Sequence, residues 1–358
     1  MGGPDILYTQ DSSLIIPELL SCCVDPFTHS FYTCTAMLLG LDSGSYRLAA
    51  GLGEWRPHQS PPMRLEHFFR KAAELGLQGV AISDLRLLEK VDYGALCALR
   101  RQADEFHLFL KLIYTGLQPE QLQDIIRIGG ALGCREVCFV PAFERPPSAE
   151  SMRNRLEEVA QIISLALPVA ERYAIGLALG SCSLTAAELN QLRRAAGSDA
   201  LSFYLDPLAA LRVLEEPLVW ARRLAHHTSV LRLSDYQIVP EEDGARLVSC
   251  SFGRGIVNLT GLLEVLQRAS PRAHLILSTP DEELPLPFLE ERFLARLHQL
   301  RPAQLARIVR LTRDRGSPAP PAPQLDRSSE DEILAWEDDR FEDSLDWLRE
   351  RLSEAGPK

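Results

Sequence analysis

Residues 174–189 read AIGLALGSCSLTAAEL. The run to Leu179 is unbroken and apolar, as in a strand covered on both faces in a parallel sheet. Three small residues follow, Gly180, Ser181 and Cys182, and then Thr185 with Glu188 three positions on, the signature of a helix opened by a capping box. Strand, short connection and helix make one βα unit, and the same unit recurs on both sides of this stretch.

Towards the N-terminus the strand-like runs are YRLAAGL (46–52), GVAIS (79–83), LFLKLIY (108–114) and EVCFVP (136–141). Each is followed by a segment with helical spacing, such as Leu65, Phe68, Phe69, Ala72 and Leu75, or by PEQLQDIIRIGGALG (119–133), with Pro119 suited to a first turn and Gly133 to a cap. Towards the C-terminus come LSFYL (201–205), SVLRLSD (229–235) and AHLILS (273–278), with helices through about 224, over 259–269 and over FLEERFLARLHQL (288–300). Eight such units in succession predict an α/β fold, a closed (β/α)8 TIM barrel, because crossovers are right-handed and no dinucleotide fingerprint marks an open sheet. The expected organisation is a leader over 1–45, the barrel over 46–300, a helix over 301–316, a Pro-rich linker over 317–327 and an acidic amphipathic tail over 328–358.

Composition narrows the function. With 46% hydrophobic residues in 358, the chain can bury a large core, and a formal charge of -11 without a basic run predicts no nucleic-acid and no membrane partner. The first residues, MGGPDILYTQDSS, lack the basic start of a secretory signal, and the eight cysteines include no C-x-x-C pair, so a cytoplasmic protein with reduced thiols is expected. Cys22 and Cys23 are adjacent in the leader and open to oxidation. In the tail, Ile333, Leu334, Trp336, Phe341, Leu345, Trp347, Leu348 and Leu352 alternate with acidic residues. That pattern fits a solvated amphipathic helix, or a docking segment (328–352) whose aromatic stripe meets a protein partner or the barrel itself.

Several strand ends resemble those of the xylose isomerase-like TIM barrels, the superfamily of sugar-phosphate isomerases and epimerases and endonuclease IV-type enzymes. The matching features are Asp206 in FYLDPLAAL, the Asp235 half of LRLSDY (231–236), and SFGRGIVNLTGLLEVL (251–266), similar to the family's glycine loop ahead of helix seven. The resemblance implies metal ligands at four strand ends, a Glu, an Asp, a His and a Glu. Here those positions carry Gly180, Asp206, Arg232 and Ser278, and Arg254 stands where the glycine loop often has an acid. A hard cation needs several converging donors, so no metal and no cofactor is expected.

The replacements set the candidates. Arg232 and Arg254, at the carboxyl ends of strands, suit an anion pocket, or else Arg232 neutralises Asp206 or Asp235. Asp206, Asp235 and Lys111 are the candidate catalytic groups, with Lys111 either neutralising a carboxylate or serving as a desolvated base or Schiff-base amine. Arg232, Arg254, Ser278 and Glu54 are the candidate ligand-binding residues, while His226 and His227 precede a strand, on the structural face of a barrel. The expected function is a sugar or sugar-phosphate isomerase/epimerase-like barrel with a degenerate metal site that binds a small polyol or anionic ligand. The alternative is a non-catalytic barrel acting as a scaffold through its acidic aromatic tail.

Overall fold

The computed structural model describes residues 37–53 and 55–354. Glu54, Cys22 and Cys23 lie outside the described residues, as does most of the expected leader. Eight parallel strands close into a barrel: β1 (Leu39–Asp42), β2 (Gly79–Ile82), β3 (Phe109–Thr115), β4 (Glu136–Val140), β5 (Gly176–Leu179), β6 (Leu201–Leu205), β7 (Thr228–Leu233) and, after an inserted pair of strands, β10 (His274–Leu277). The ring is sealed by β10 against β1, with Leu39 opposite Leu275 and Leu41 opposite Leu277.

Around it run α1 (Leu65–Glu74), α2 (Tyr93–Glu105), α3 (Pro119–Leu132), α4 (Ala149–Arg172), α5 (Ala186–Ala196), α6 (Pro207–Arg212), α7 (Pro217–Leu224) and α8 (Leu259–Ala269). Local signals set their ends. Gly133 caps α3 in the left-handed region at φ 77, and the Thr185–Glu188 capping box opens α5. Leu65, Phe68, Phe69 and Ala72, spaced along one face, bury α1 against the barrel.

Three features depart from the sequence reading. The first strand is Leu39–Asp42, whereas 46–52 holds the end of a short 3-10 helix over Ser43–Tyr46 and the turn that follows it, with Tyr46, Leu48 and Ala50 buried and Arg47 exposed. Tyr46, Leu48 and Ala50 are apolar because they are covered as a loop, and a strand run and a covered loop share that composition. Second, β8 (Asp235–Glu241), β9 (Gly244–Cys250) and β11 (Glu283–Leu286) form a separate antiparallel sheet in the order β11-β9-β8. The Asp243-Gly244 turn between alternating residues was its sequence signal.

Third, the helix expected over 288–300 shrinks to α9 (Glu291–Leu294), followed by α10 (Pro302–Arg315), which packs on β8. The position between β10 and α1 is taken by α11 (Glu330–Glu354), which lies against β10 and bonds α1 through Lys71–Asp338 and through Arg349 to the Leu75 carbonyl at 2.5 Å. The tail's apolar stripe therefore meets the barrel itself: Ile333, Phe341, Leu345 and Leu348 are buried, and Phe341 packs on Tyr46 with ring centroids 5.5 Å apart.

Inside the barrel the side chains stack in layers. The middle is apolar, with Ala81, Ile113, Cys138, Ala178, Tyr204, Val230 and Ile276. Charged layers lie above and below it.

Candidate functional site

The upper layer, at the carboxyl ends of the strands, is organised around Arg232 near the end of β7. Its Nη1 donates to Asp206 Oδ2 at 2.8 Å, its Nε donates to Ser278 Oγ at 2.9 Å and lies 3.3 Å from Asp42 Oδ2, and Glu282 Oε1 is 3.5 Å from Nη1. Burial opposes the guanidinium charge, but Asp206 and Glu282 more than restore it, so the group is held charged above its ordinary range.

Asp42 is the most enclosed member. Fully buried at the end of β1, it accepts from Gly44 N at 3.0 Å, from Ser83 Oγ and Ser278 Oγ at 2.5 Å each, and from Arg232. Sequence reading missed it because β1 was placed too late in the chain. Glu282 was missed too; it follows β10, accepts from the buried Tyr236 hydroxyl at 2.5 Å, and is the most open carboxylate of the group, with 31% of its side chain exposed.

Against this cluster lies a cavity of about 220 Å3. Its walls are the 43–52 segment (Ser43, Gly44, Arg47, Leu52), Ser83 and Asp84 after β2, Arg232, and Pro280, Asp281 and Glu282. Hydroxyls, three carboxylates and two guanidinium groups line it, Arg232 saturated by its carboxylates and Arg47 bonded through Nε to the Leu52 carbonyl at 3.3 Å. Such walls accept hydrogen bonds more readily than they attract an anion.

The end of β5 is steric. A Cβ at Gly180 would stand 2.6 Å from the Tyr204 ring and 2.9 Å from Val140, so the Tyr204 ring takes the space a longer side chain would need.

The candidates from sequence sort into separate places. Asp206, Arg232 and Ser278 come together at the mouth; Asp206 also caps α6 by accepting from Leu208 N at 2.9 Å. Asp235 does not join them. It is buried and accepts from the N–H groups of Tyr236, Gly253, Gly255 and Val257 at 2.9–3.0 Å, which makes it the organiser of the glycine loop. A Cβ at Gly255 would fall 2.1 Å from its carboxylate, so glycine is required there for close approach.

Arg254 points away from the mouth, mostly exposed, and pairs with Asp343 of α11 at 3.1 Å. Arg232 and Arg254 thus form no joint pocket, and Arg232 resolves as the partner of Asp42 and Asp206 rather than of Asp235.

Lys111 points into the barrel but at its opposite, amino-terminal end. There it meets Glu136 at 2.5 Å, and Ser202 Oγ donates to Glu136 at 2.9 Å and lies 2.7 Å from Ser229 Oγ. Burial pushes the Glu136 carboxyl up, and the Lys111 ammonium with the serine hydroxyls more than reverses this, leaving it below the usual range. Lys111 is a neutralised barrel plug, remote from the mouth. His226 and His227 sit ahead of β7 in a short 3-10 turn, as expected of structural residues.

Among the described residues no helix is long and apolar enough to cross a membrane. Comparison with curated proteins by sequence gives no match. Solved structures of similar shape include the IolI protein with a binding zinc atom (TM-score 0.54, 12% identity, 78% of this chain and 97% of that one) and L-ribulose 3-epimerase (0.53, 14%, 80% and 100%). D-psicose 3-epimerase with D-tagatose from Clostridium cellulolyticum H10 is another (0.52, 12%, 78% and 97%). At these identities the likeness is one of fold. The sequence model of one family, however, matches residues 69–302, about two thirds of the chain and nearly all of the barrel. With its closed eight-stranded ring and that match, the chain belongs to the xylose isomerase-like TIM barrel family.

Proposed function

We propose that this chain is a sugar isomerase/epimerase-type barrel that recognises a small polyhydroxy ligand at its mouth without a divalent metal. The single observation behind this reading is the position of Arg232, whose guanidinium lies among Asp42, Asp206 and Glu282 where the family resemblance calls for a metal. A divalent ion there would press against a fixed positive charge, and Gly180, Arg232 and Ser278 supply no strong donor in its place. The donor set does not fit the metal.

The charge balance also favours a polyol over an anion. Asp42, Asp206 and Glu282 already face Arg232, and Asp84 and Asp281 stand in the wall with Arg47, five carboxylates to two guanidinium groups, so a phosphate would meet net negative charge, whereas sugar hydroxyls can donate to Glu282 and to the hydroxyl-lined wall. Asp206 is occupied as a helix cap and ion-pair partner, Asp235 holds a loop and Lys111 is at the far end, so none of the three is placed as a base for a carbon-bound proton. The scaffold alternative takes the acidic aromatic tail as its contact element; Phe341, Leu345 and Leu348 of that tail are buried against the barrel, which favours an internal contact over one with a partner.

The test is thermal stabilisation of metal-free protein by D-tagatose, L-ribulose and their phosphates. A rise in melting temperature with the neutral sugars that is lost in Glu282→Gln supports the reading. Stabilisation that appears only with added zinc or manganese, or only with the phosphates, overturns it.

A further inference from the structure

The acidic helix α11 carries a row of acceptors two turns apart on one face, Glu330, Glu337 and Ser344, all buried. Each accepts from backbone N–H groups of a loop. Glu337 takes Leu48 N and Ala49 N at 2.8 Å each, and Glu330 takes His58 N, Gln59 N and Ser60 N at 2.7–2.9 Å. Ser344 takes Phe252 N at 3.1 Å.

The described residues between Ser43 and Ser60 form no strand and no α-helix, so these carboxylates stand in for a hydrogen-bond ladder. Part of that same segment walls the mouth, through Ser43, Gly44, Arg47 and Leu52. From the other wall, the Pro280 carbonyl accepts from Arg340 of α11 at 3.2 Å, and Arg340 is also fixed by Ser249 Oγ at 2.8 Å. One helix therefore ties both sides of the cavity from behind. Its covalent link to the barrel is the Pro-rich stretch from Gly316 to Gln324, which has no regular structure and is held by a Ser317 N bond to the Ile238 carbonyl.

We infer that α11 is a releasable clamp: docked, it fixes the 43–52 and 280–282 walls of the mouth through its bonds to 48–49, 58–60 and Pro280, and undocked, it leaves them loose while the barrel strands remain folded. The device does not depend on which ligand the mouth takes.

Hydrogen exchange on the full-length chain tests it. In the wild type, amides of α11 and of Leu48, Ala49 and 58–60 should exchange together, roughly tenfold or more faster than those of β4 and β6, the mark of an opening smaller than global unfolding. In Glu330→Ala/Glu337→Ala both carboxyl acceptors are gone and five loop N–H groups lose their partners; exchange over 46–60 should rise roughly tenfold again, with β4 and β6 unchanged. If wild-type α11 exchanges only at the rate of the barrel strands, or if 46–60 keeps its protection when α11 opens, the clamp is excluded. The wild-type measurement stands even if the double variant fails to fold.

Discussion

The two ends of the barrel interior are built from the same material and behave differently. At the amino-terminal end one lysine meets one carboxylate: Lys111 and Glu136, backed by Ser202, with the Phe109 and His274 rings packed at a tilt, centroids 4.1 Å apart. Charges balance and the end is plugged. At the carboxyl end one arginine meets three carboxylates, and a cavity adjoins them. An ion pair that balances closes a barrel; one left with surplus acceptors beside open space is equipped to meet hydroxyl donors. The difference separates Lys111, a candidate from sequence, from Arg232, which stays at the site.

Four measurements sharpen or break this contrast. Arg232→Met should have the largest effect, because fully buried Asp42 and nearby Asp206 lose their counter-charge; about 5 kcal/mol of unfolding free energy should be lost, with partial recovery in Asp42→Asn/Arg232→Met. A variant as stable as the wild type by urea titration would mean the cluster is solvated. Lys111→Met should cost about 4 kcal/mol by stranding Glu136, and Lys111→Met/Glu136→Gln should regain most of it, as a plug without chemical duty allows. Failure of the second substitution to rescue the first would show that the amino-terminal end needs its charges.

The third measurement concerns pH. Burial pushes the Glu337 carboxyl up, more than the Leu48 and Ala49 N–H groups bring it down, to about 7 against an ordinary 4.5. The folded chain therefore holds a proton that the unfolded chain gives up first. Stability from this group is full below pH 4.5, declines as pH rises to about 7, and is flat above, a change of about 3 kcal/mol. Asp281, Arg340 and the backbone donors face the group, and Glu337→Gln should flatten that part of the profile. An unchanged pH profile in the variant would locate the titration elsewhere. The smallest effect is expected for Arg254→Ala, whose exposed pair with Asp343 should contribute less than about 1 kcal/mol and vanish in high salt. A larger loss would bring Arg254 back into consideration as part of the site.

The repeating βα units were legible because buried parallel strands and amphipathic helices each write a period into the sequence, and seven of the eight barrel strands lie where those periods put them. The eighth, Leu39–Asp42, spans four residues next to a longer apolar loop, and the longer run was taken for the strand. That displacement hid Asp42, since a residue assigned to a leader is not aimed at a barrel mouth. Asp206 and Arg232 were legible as strand-end residues. Asp235 and Lys111 were legible as polar residues among apolar ones, but their partners come from β4, β6 and the glycine loop, contacts that no local spacing encodes. The buried Glu330, Glu337 and Arg340 were masked by their chemistry, because charges at helical spacing ordinarily face water.

The packing of Tyr204 against Gly180 has one further consequence. A glutamate placed at 180 alone would set its Cβ 2.6 Å from the ring, and Tyr204 shortened alone would open a void beneath the mouth. Neither change is tolerable without the other. Positions 180 and 204 are coupled by epistasis: the size of one side chain sets the size the other can take, so the mouth at the end of β5 can be reshaped only by paired substitutions.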